Sequence, residues 1–267
     1  MAISITPSFE ELSSDYENSA DHNDGLFRQL TELTWAEPIL SAHRHHCEQN
    51  KLGFGEAAFH AMWLQLLNSA HRRFGTVRTL EIGVFKGQVI SLWALIGKKW
   101  DMDIQISAIA PLTGNPLPRS RLIRKVRSYL DPGFREQLHN ANFYPEDDYV
   151  SAIKHLFERF NLDYDAVALY HGFSTDQHIL KSVSDATFHI VCVDGDHTFA
   201  GAFHDFTVFG PKVVQGGWLV ADDAGCSLPG TAFWKGHEAV SRAVNVLPDI
   251  GFRNVMNVGH NRIYERV

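Results

Sequence analysis

Cysteine is scarce in this chain. Cys47, Cys192 and Cys226 are odd in number and far apart, and no C-x-x-C pair occurs. That excludes a disulfide framework and a structural zinc site of the usual spacing. Long apolar runs are missing too; none approaches the roughly 18 residues that span a bilayer. The N-terminus lacks a basic stretch followed by an apolar one, so no secretory leader is expected and a cytoplasmic location is the default. Basic excess is absent: the net charge is -7. No nucleic-acid partner is therefore expected, and without a run of spanning length no membrane partner is expected either. The Gly-x-Gly-x-x-Gly fingerprint of dinucleotide binders does not occur either. There is no internal repeat and no low-complexity tract.

What remains is an ordinary soluble composition, 267 residues with 45% hydrophobic. That is enough for a full core, and one large domain with an appendage fits better than two equal ones. Histidine is frequent, at 15 residues. Most are scattered; the cluster His43, His45, His46 reads as a solvated helix face or loop, with a metal site as the alternative.

Residues 1 to about 25 are polar and acidic and read as a loose arm. Phe59, Met62, Trp63, Leu66, Leu67 and Ala70 then recur at three- and four-residue steps, a helix stopped at Gly75. Residues 1–75 form an arm and helical cap by this reading, and 76–267 the main domain. Apolar runs at 77–82, 104–109, 166–170, 188–193 and 218–221 alternate with helical stretches, which predicts a parallel sheet wound on both faces. A helical insertion at about 111–163 carries the cations Arg119 to Arg127, read as a solvated face or a greeting surface for an anionic acceptor. Strands at 252–258 and 262–267 are separated by only Gly259-His260-Asn261. So short a link joins only antiparallel strands. The fold class is thus α/β, doubly wound, seven-stranded and mostly parallel, with an antiparallel C-terminal hairpin and an N-terminal helical extension.

Chemistry gathers at strand ends. Asp194-Gly195-Asp196-His197 follows one buried run, and Asp222-Asp223 follows the next. In open α/β sheets ligands bind beyond the carboxyl ends of the strands. If the two strands are neighbours, three carboxylates and an imidazole converge, a seat for a hard divalent cation with a base beside it. Oxygen ligands without thiolate suit magnesium, or manganese. A histidine titrates near pH 6.5 in water, so His197 suits proton abstraction near neutrality. Asp196 is expected to face solvent or cap the next helix, and His189, Trp93, His204 and Asp205 to be structural. The first strand ends in Glu81-x-Gly83-x-x-x-Gly87. Glycines there let a ligand approach the backbone, or merely let the chain turn.

With these motifs, residues 77–267 resemble class I S-adenosylmethionine-dependent methyltransferases. The Glu81-x-Gly83-x-x-x-Gly87 turn is similar to their first motif and the terminal hairpin to their reversed last strand. The two acidic clusters resemble the metal-dependent O-methyltransferase branch, and most closely the macrocin and mycinamicin sugar enzymes. The resemblance implies that Asp194, Asp222 and Asp223 hold Mg2+ (or Mn2+) and that His197 is the base. It also implies that Glu81, Gly83, Gly87, Ser174 and Asp194 line the S-adenosylmethionine site. In that fold the fourth and fifth strands lie beside the first. One departure stands out. The acidic residue that usually ends the second strand and holds the ribose is replaced by Ala108-Ile109-Ala110-Pro111. The expected function is methylation of a hydroxyl on a small molecule such as a sugar or polyketide. Trp234, in the loop after Asp223, is a candidate wall for the acceptor. Homo-oligomerisation is open. The rivals are a metal-dependent hydroxylase or oxidase on the same fold and a non-catalytic binding protein.

Overall fold

Alternating strand and helix signals translate directly into the topology. The computed structural model describes residues 7–139 and 142–267. Helices α1 (Phe9–Ser14), α2 (Ala20–Ala36), α3 (Pro38–Asn50) and α4 (Ala58–Phe74) lead into β1 (Val77–Ile82), α5 (Gln88–Trp100) and β2 (Ile104–Ala110). The insertion folds as α6 (Arg121–Leu130), α7 (Pro132–His139) and α8 (Tyr149–Arg159). Then come β3 (Ala168–His171), α9 (Gln177–Ser182), β4 (Phe188–Val193), α10 (Phe199–Phe209), β5 (Val213–Ala221), α11 (Glu238–Ala243), β6 (Phe252–Val258) and β7 (Asn261–Arg266). Among the described residues these strands form one seven-stranded sheet in the order β3-β2-β1-β4-β5-β7-β6. Pairing is parallel from β3 to β5 and antiparallel at β5–β7 and β6–β7, as the sequence predicts.

β4 is buried along its whole length and β1 at all but one position, the signature of strands covered on both faces. Side chains alternate between two cores. Ile190 and Cys192 of β4 pack with Trp63, Trp93 and Trp218 on one side; Val191 and Val193 pack with Phe206 and Phe209 on the other. β5 begins five residues earlier than the apolar run Trp218–Ala221 suggests, because Val213 already pairs with Phe188 across a register shift. Gly216 and Gly217 lie inside the strand.

The N-terminal segment departs from the expected loose arm. Residues 1–6 of it lie outside the described residues, but Phe9–Ser14 form a helix and a second begins at Ala20. Ser8 and Glu11 form a reciprocal capping box at the start of α1. Phe9, 3% exposed, packs edge-on against Trp218 at 5.6 Å. Burying such a ring is worth roughly 2–3 kcal/mol. α4 is buried on every side from Ala58 to Ala70, since α2 and α3 cover the face turned away from the sheet. Gly75 ends it with φ +73°, its N–H donating to His71 O at 2.8 Å. His43 departs from the solvated face: it is wholly buried, 3.0 Å from His60 Nε2 and 2.9 Å from Ser91 Oγ. Burial pushes its pKa down to about 3. His45, by contrast, is exposed.

Candidate active site

Three strand ends meet at the site. Ile82, Val193 and Ala221 stand side by side in register at the ends of β1, β4 and β5. The backbone continues the ladder one residue beyond: Asp194 N–H donates to Ile82 O at 2.8 Å, and Asp222 N–H to Val193 O at 3.0 Å. Asp194 and Asp222 therefore leave neighbouring strands at the same level. Gly83 turns the chain here with φ +96°, and its Cα lies so close to Asp194 that an added Cβ would sit 1.8 Å from the Asp194 carbonyl oxygen. Gly87, at φ +87°, faces the Ile153 side chain instead. Gly83 is thus required by backbone packing and Gly87 favoured by its left-handed backbone, and Gly83 also lines the crevice.

The crevice beyond these strand ends has a volume of about 680 Å3. Glu81, Gly83, Ser174, Asp194, Asp222 and Asp223 all contribute to its wall, as does His197. Gly87 alone of the predicted site residues stands behind it. Glu81 is 1% exposed with an unpartnered Oε2. Burial, then the Asp194 and Asp222 charges, push its carboxyl well above the usual range, only partly offset by the Ile90 N–H. Ser174 sits at the far end, its carbonyl 3.4 Å from His204 Nε2. Asp196 faces solvent, accepting from Thr198 N–H at 3.0 Å and from Asn142 Nδ2 at 2.8 Å, while Thr198 is the residue that caps α10.

The carboxylates crowd one another. Asp194 and Asp222 lie within hydrogen-bonding reach of each other. Burial, with the facing Asp222 and Asp223 charges, drives Asp194 well above its ordinary range. Burial also works against Asp222, but His260 overrides it and holds that carboxyl low. Asp223, mostly buried, rises to about 6. Such crowding is relieved by a shared proton or by a cation.

Two histidines that sequence reasoning missed complete the cluster. His260, from the β6–β7 turn, is 2% exposed and places Nε2 3.1 Å from Asp222 Oδ1 and 3.5 Å from Asp223 Oδ1. His237 stacks on His197 with centroids 4.4 Å apart. Both point Nε2 at Asp223 Oδ2, His197 at 3.1 Å and His237 at 3.7 Å. The signal for His260 was its place in a hairpin turn beside the strand carrying Asp222; His237 had none. Trp234, half-exposed, sets its ring edge against both His237 and His260. Among the described residues, two three-donor sets have ligand atoms within 4.8 Å of one another: Asp222-Asp223-His260 and His197-Asp223-His237. Asp194 belongs to neither and faces Asp222 and, at 3.9 Å, His197. The donors fit a divalent cation. Carboxylates suit a hard ion, and the added imidazoles suit a borderline one.

Comparison with known proteins bears on the family and the fold. Residues 80–224 match the model of a family described as "Methyltransferase domain". No curated protein sequence matches the chain. Among solved structures, the O-methyltransferase NovP is 17% identical with a TM-score of 0.56, over 78% of this chain and 79% of that one. The calicheamicin methyltransferase CalS11 is 13% identical with a TM-score of 0.52, over 98% of this chain and 99% of that one. At such identities the likeness is one of fold.

Proposed function

The chain belongs to this methyltransferase-domain family, and from that premise we propose that it is an S-adenosylmethionine-dependent O-methyltransferase acting on a hydroxyl of a small molecule, a sugar, polyketide or other natural product. The observation that carries the reading is convergence: the glycine turn, Asp194, Asp222, Asp223 and His197 open onto one crevice. Asp222 and Asp223, with Asp194 beside them, would hold a magnesium or manganese ion. Bound there, the cation would acidify and orient the acceptor hydroxyl, while S-adenosylmethionine supplies the activated methyl.

The chain's own residues do the rest. The Gly83 turn and Glu81 shape the floor against which the cofactor lies, Asp194 adds an acceptor there, and Ser174 lines the end opposite. His197, held 3.1 Å from Asp223 Oδ2, takes the acceptor proton. Its partner carboxylate stabilises the imidazolium that results. Trp234 and the loop around it wall the acceptor side, and the N-terminal helices act as a cap over the same opening. Ribose recognition falls to the Pro111–Asn115 loop, which lines the crevice where the missing carboxylate would stand.

The test is calorimetric titration with S-adenosylmethionine, followed by methylation assays with and without a chelator. Micromolar binding and a chelator-sensitive rate are expected. Absence of binding would remove methyl transfer; a rate unaffected by chelator would remove the cation. A second reading has one observation in its favour. His197, His237 and Asp223 make a two-histidine, one-carboxylate set, the composition of non-haem iron oxygenases. Iron-dependent oxygen consumption without methyl transfer would favour it.

A further inference from the structure

We propose that α6 is a docking element for an anionic lipid surface. The inference is independent of the proposed reaction. Helix α6 has no buried residue, although it is rich in large apolar side chains. Leu122, Ile123, Val126, Tyr129 and Leu130 are 50% to 82% exposed. At 3.6 residues per turn these five fall within a wedge roughly 120° wide. Arg121, Arg124, Lys125 and Arg127 occupy the rest of the helix circumference, and Arg119 precedes it. No carboxylate stands between Arg119 and Leu130, on a chain whose net charge is -7. An apolar wedge flanked on both sides by cations is the pattern of helices that lie in a membrane interface.

The helix is held so that the wedge stays free. Arg135 of α7 donates to Ser128 O at 2.8 Å and to Tyr129 O at 3.2 Å, fixing the end of α6. Arg127 lies 4.4 Å over the Phe134 ring and 3.6 Å from Asp131 Oδ2, so the side turned to α7 is a cationic one. Among the described residues, none of those lining the crevice comes from α6. The wedge is therefore not the inner face of the site. A second copy of this acidic chain would also attract the cations. But a ridge of ten residues is about 15 Å long, and it offers less than the roughly 800 Å2 per partner that a stable interface buries. A lipid surface needs no matching groove. Asn115, Gln137 and Asn142, from the same insertion, line the crevice. Docking through α6 would bring the crevice opening close to the lipid headgroups. The expectation of no membrane partner rested on spanning length, and a helix that lies flat needs none.

Co-sedimentation of the full chain with mixed phosphatidylserine and phosphatidylcholine vesicles tests the proposal. Binding to the mixed vesicles, absent with phosphatidylcholine alone and weakened by salt, is expected. Arg124→Gln with Lys125→Gln should lower partitioning on the order of 30-fold, from about 1 kcal/mol per cation near the surface. Leu122→Asp with Leu130→Asp should abolish it; both residues are exposed, so the melting temperature should not move. Vesicle binding that survives both double substitutions would overturn the proposal. So would no binding, or a concentration-dependent self-association that the leucine variant abolishes while wild type ignores vesicles.

Discussion

Replacing Gly83 with alanine separates two explanations of the glycine turn. If the glycine exists only to let a ligand approach, Gly83→Ala leaves stability unchanged and weakens cofactor binding alone. The structure demands more. The new Cβ would lie 1.8 Å from Asp194 O, 2.5 Å from Asp194 C and 2.8 Å from Gly195 Cα, all backbone atoms. Alanine at φ +96° costs roughly 1–2 kcal/mol by itself. Relief of the overlap needs a backbone shift of about an ångström, which breaks the Asp194 N–H to Ile82 O bond of 2.8 Å, worth about 1 kcal/mol. The expected loss is therefore about 2–3 kcal/mol without any ligand, read as a fall in the urea midpoint at unchanged slope. Gly87→Ala meets only the movable Ile153 side chain at 3.0 Å and should cost about half as much. An unchanged midpoint for Gly83→Ala would refute the claim that the Asp194 backbone dictates this residue.

Three further outcomes follow from the same geometry. Asp205 is 1% exposed and its pKa is raised to about 7 by burial, with Ser174 pulling it down and Asp196 pushing it up. Because its folded pKa lies above the unfolded value, the folded chain binds the extra proton, and stability falls as pH rises from about 4 to 7. Asp205→Asn should gain up to about 4 kcal/mol over wild type above that window and nothing below it; urea midpoints differing by a constant across pH would contradict this. Asp24 accepts from Thr231 N–H at 2.8 Å and Ala232 N–H at 2.9 Å, clamping the loop that carries Trp234. Asp24→Ala should cost about 2–3 kcal/mol and raise the acceptor KM more than it lowers kcat. His237→Ala should weaken Mn2+ binding on the order of 10- to 100-fold, followed by the manganese paramagnetic resonance signal. Undiminished affinity would remove His237 from the cation site.

The part of the site that sequence made legible is the part governed by short-range pattern. Buried runs at 188–193 and 218–221 mark parallel strands, so Asp194 and Asp222 fall at strand ends by counting alone, and the register Val193↔Ala221 sets them side by side. His237 and His260 arrive differently. Asp223 takes a left-handed backbone at φ +57°, rare for a residue with a side chain and costing of order 1 kcal/mol. That conformation is sustained by contacts from afar. His237 N–H donates to Asp223 O at 2.8 Å, and Gly236 fits against it only because a Cβ would stand 2.2 Å from the same oxygen. On the other side, Ala224 N–H donates to His260 O at 2.9 Å. The bonds that hold Asp223 in its strained form are therefore the bonds that deliver both imidazoles. No periodicity encodes them, because they depend on a loop closing over a turn that a different part of the chain supplies. α1 illustrates the same limit: Ser8-x-x-Glu11 is a readable cap, but the pocket that makes Phe9 worth burying is built by Trp218. α6 illustrates the converse. Its apolar spacing is plain, yet spacing marks a face and not what covers it. In this chain the strained Asp223 turn is where local rules give way to tertiary ones, and it is also where the donors of the candidate site meet.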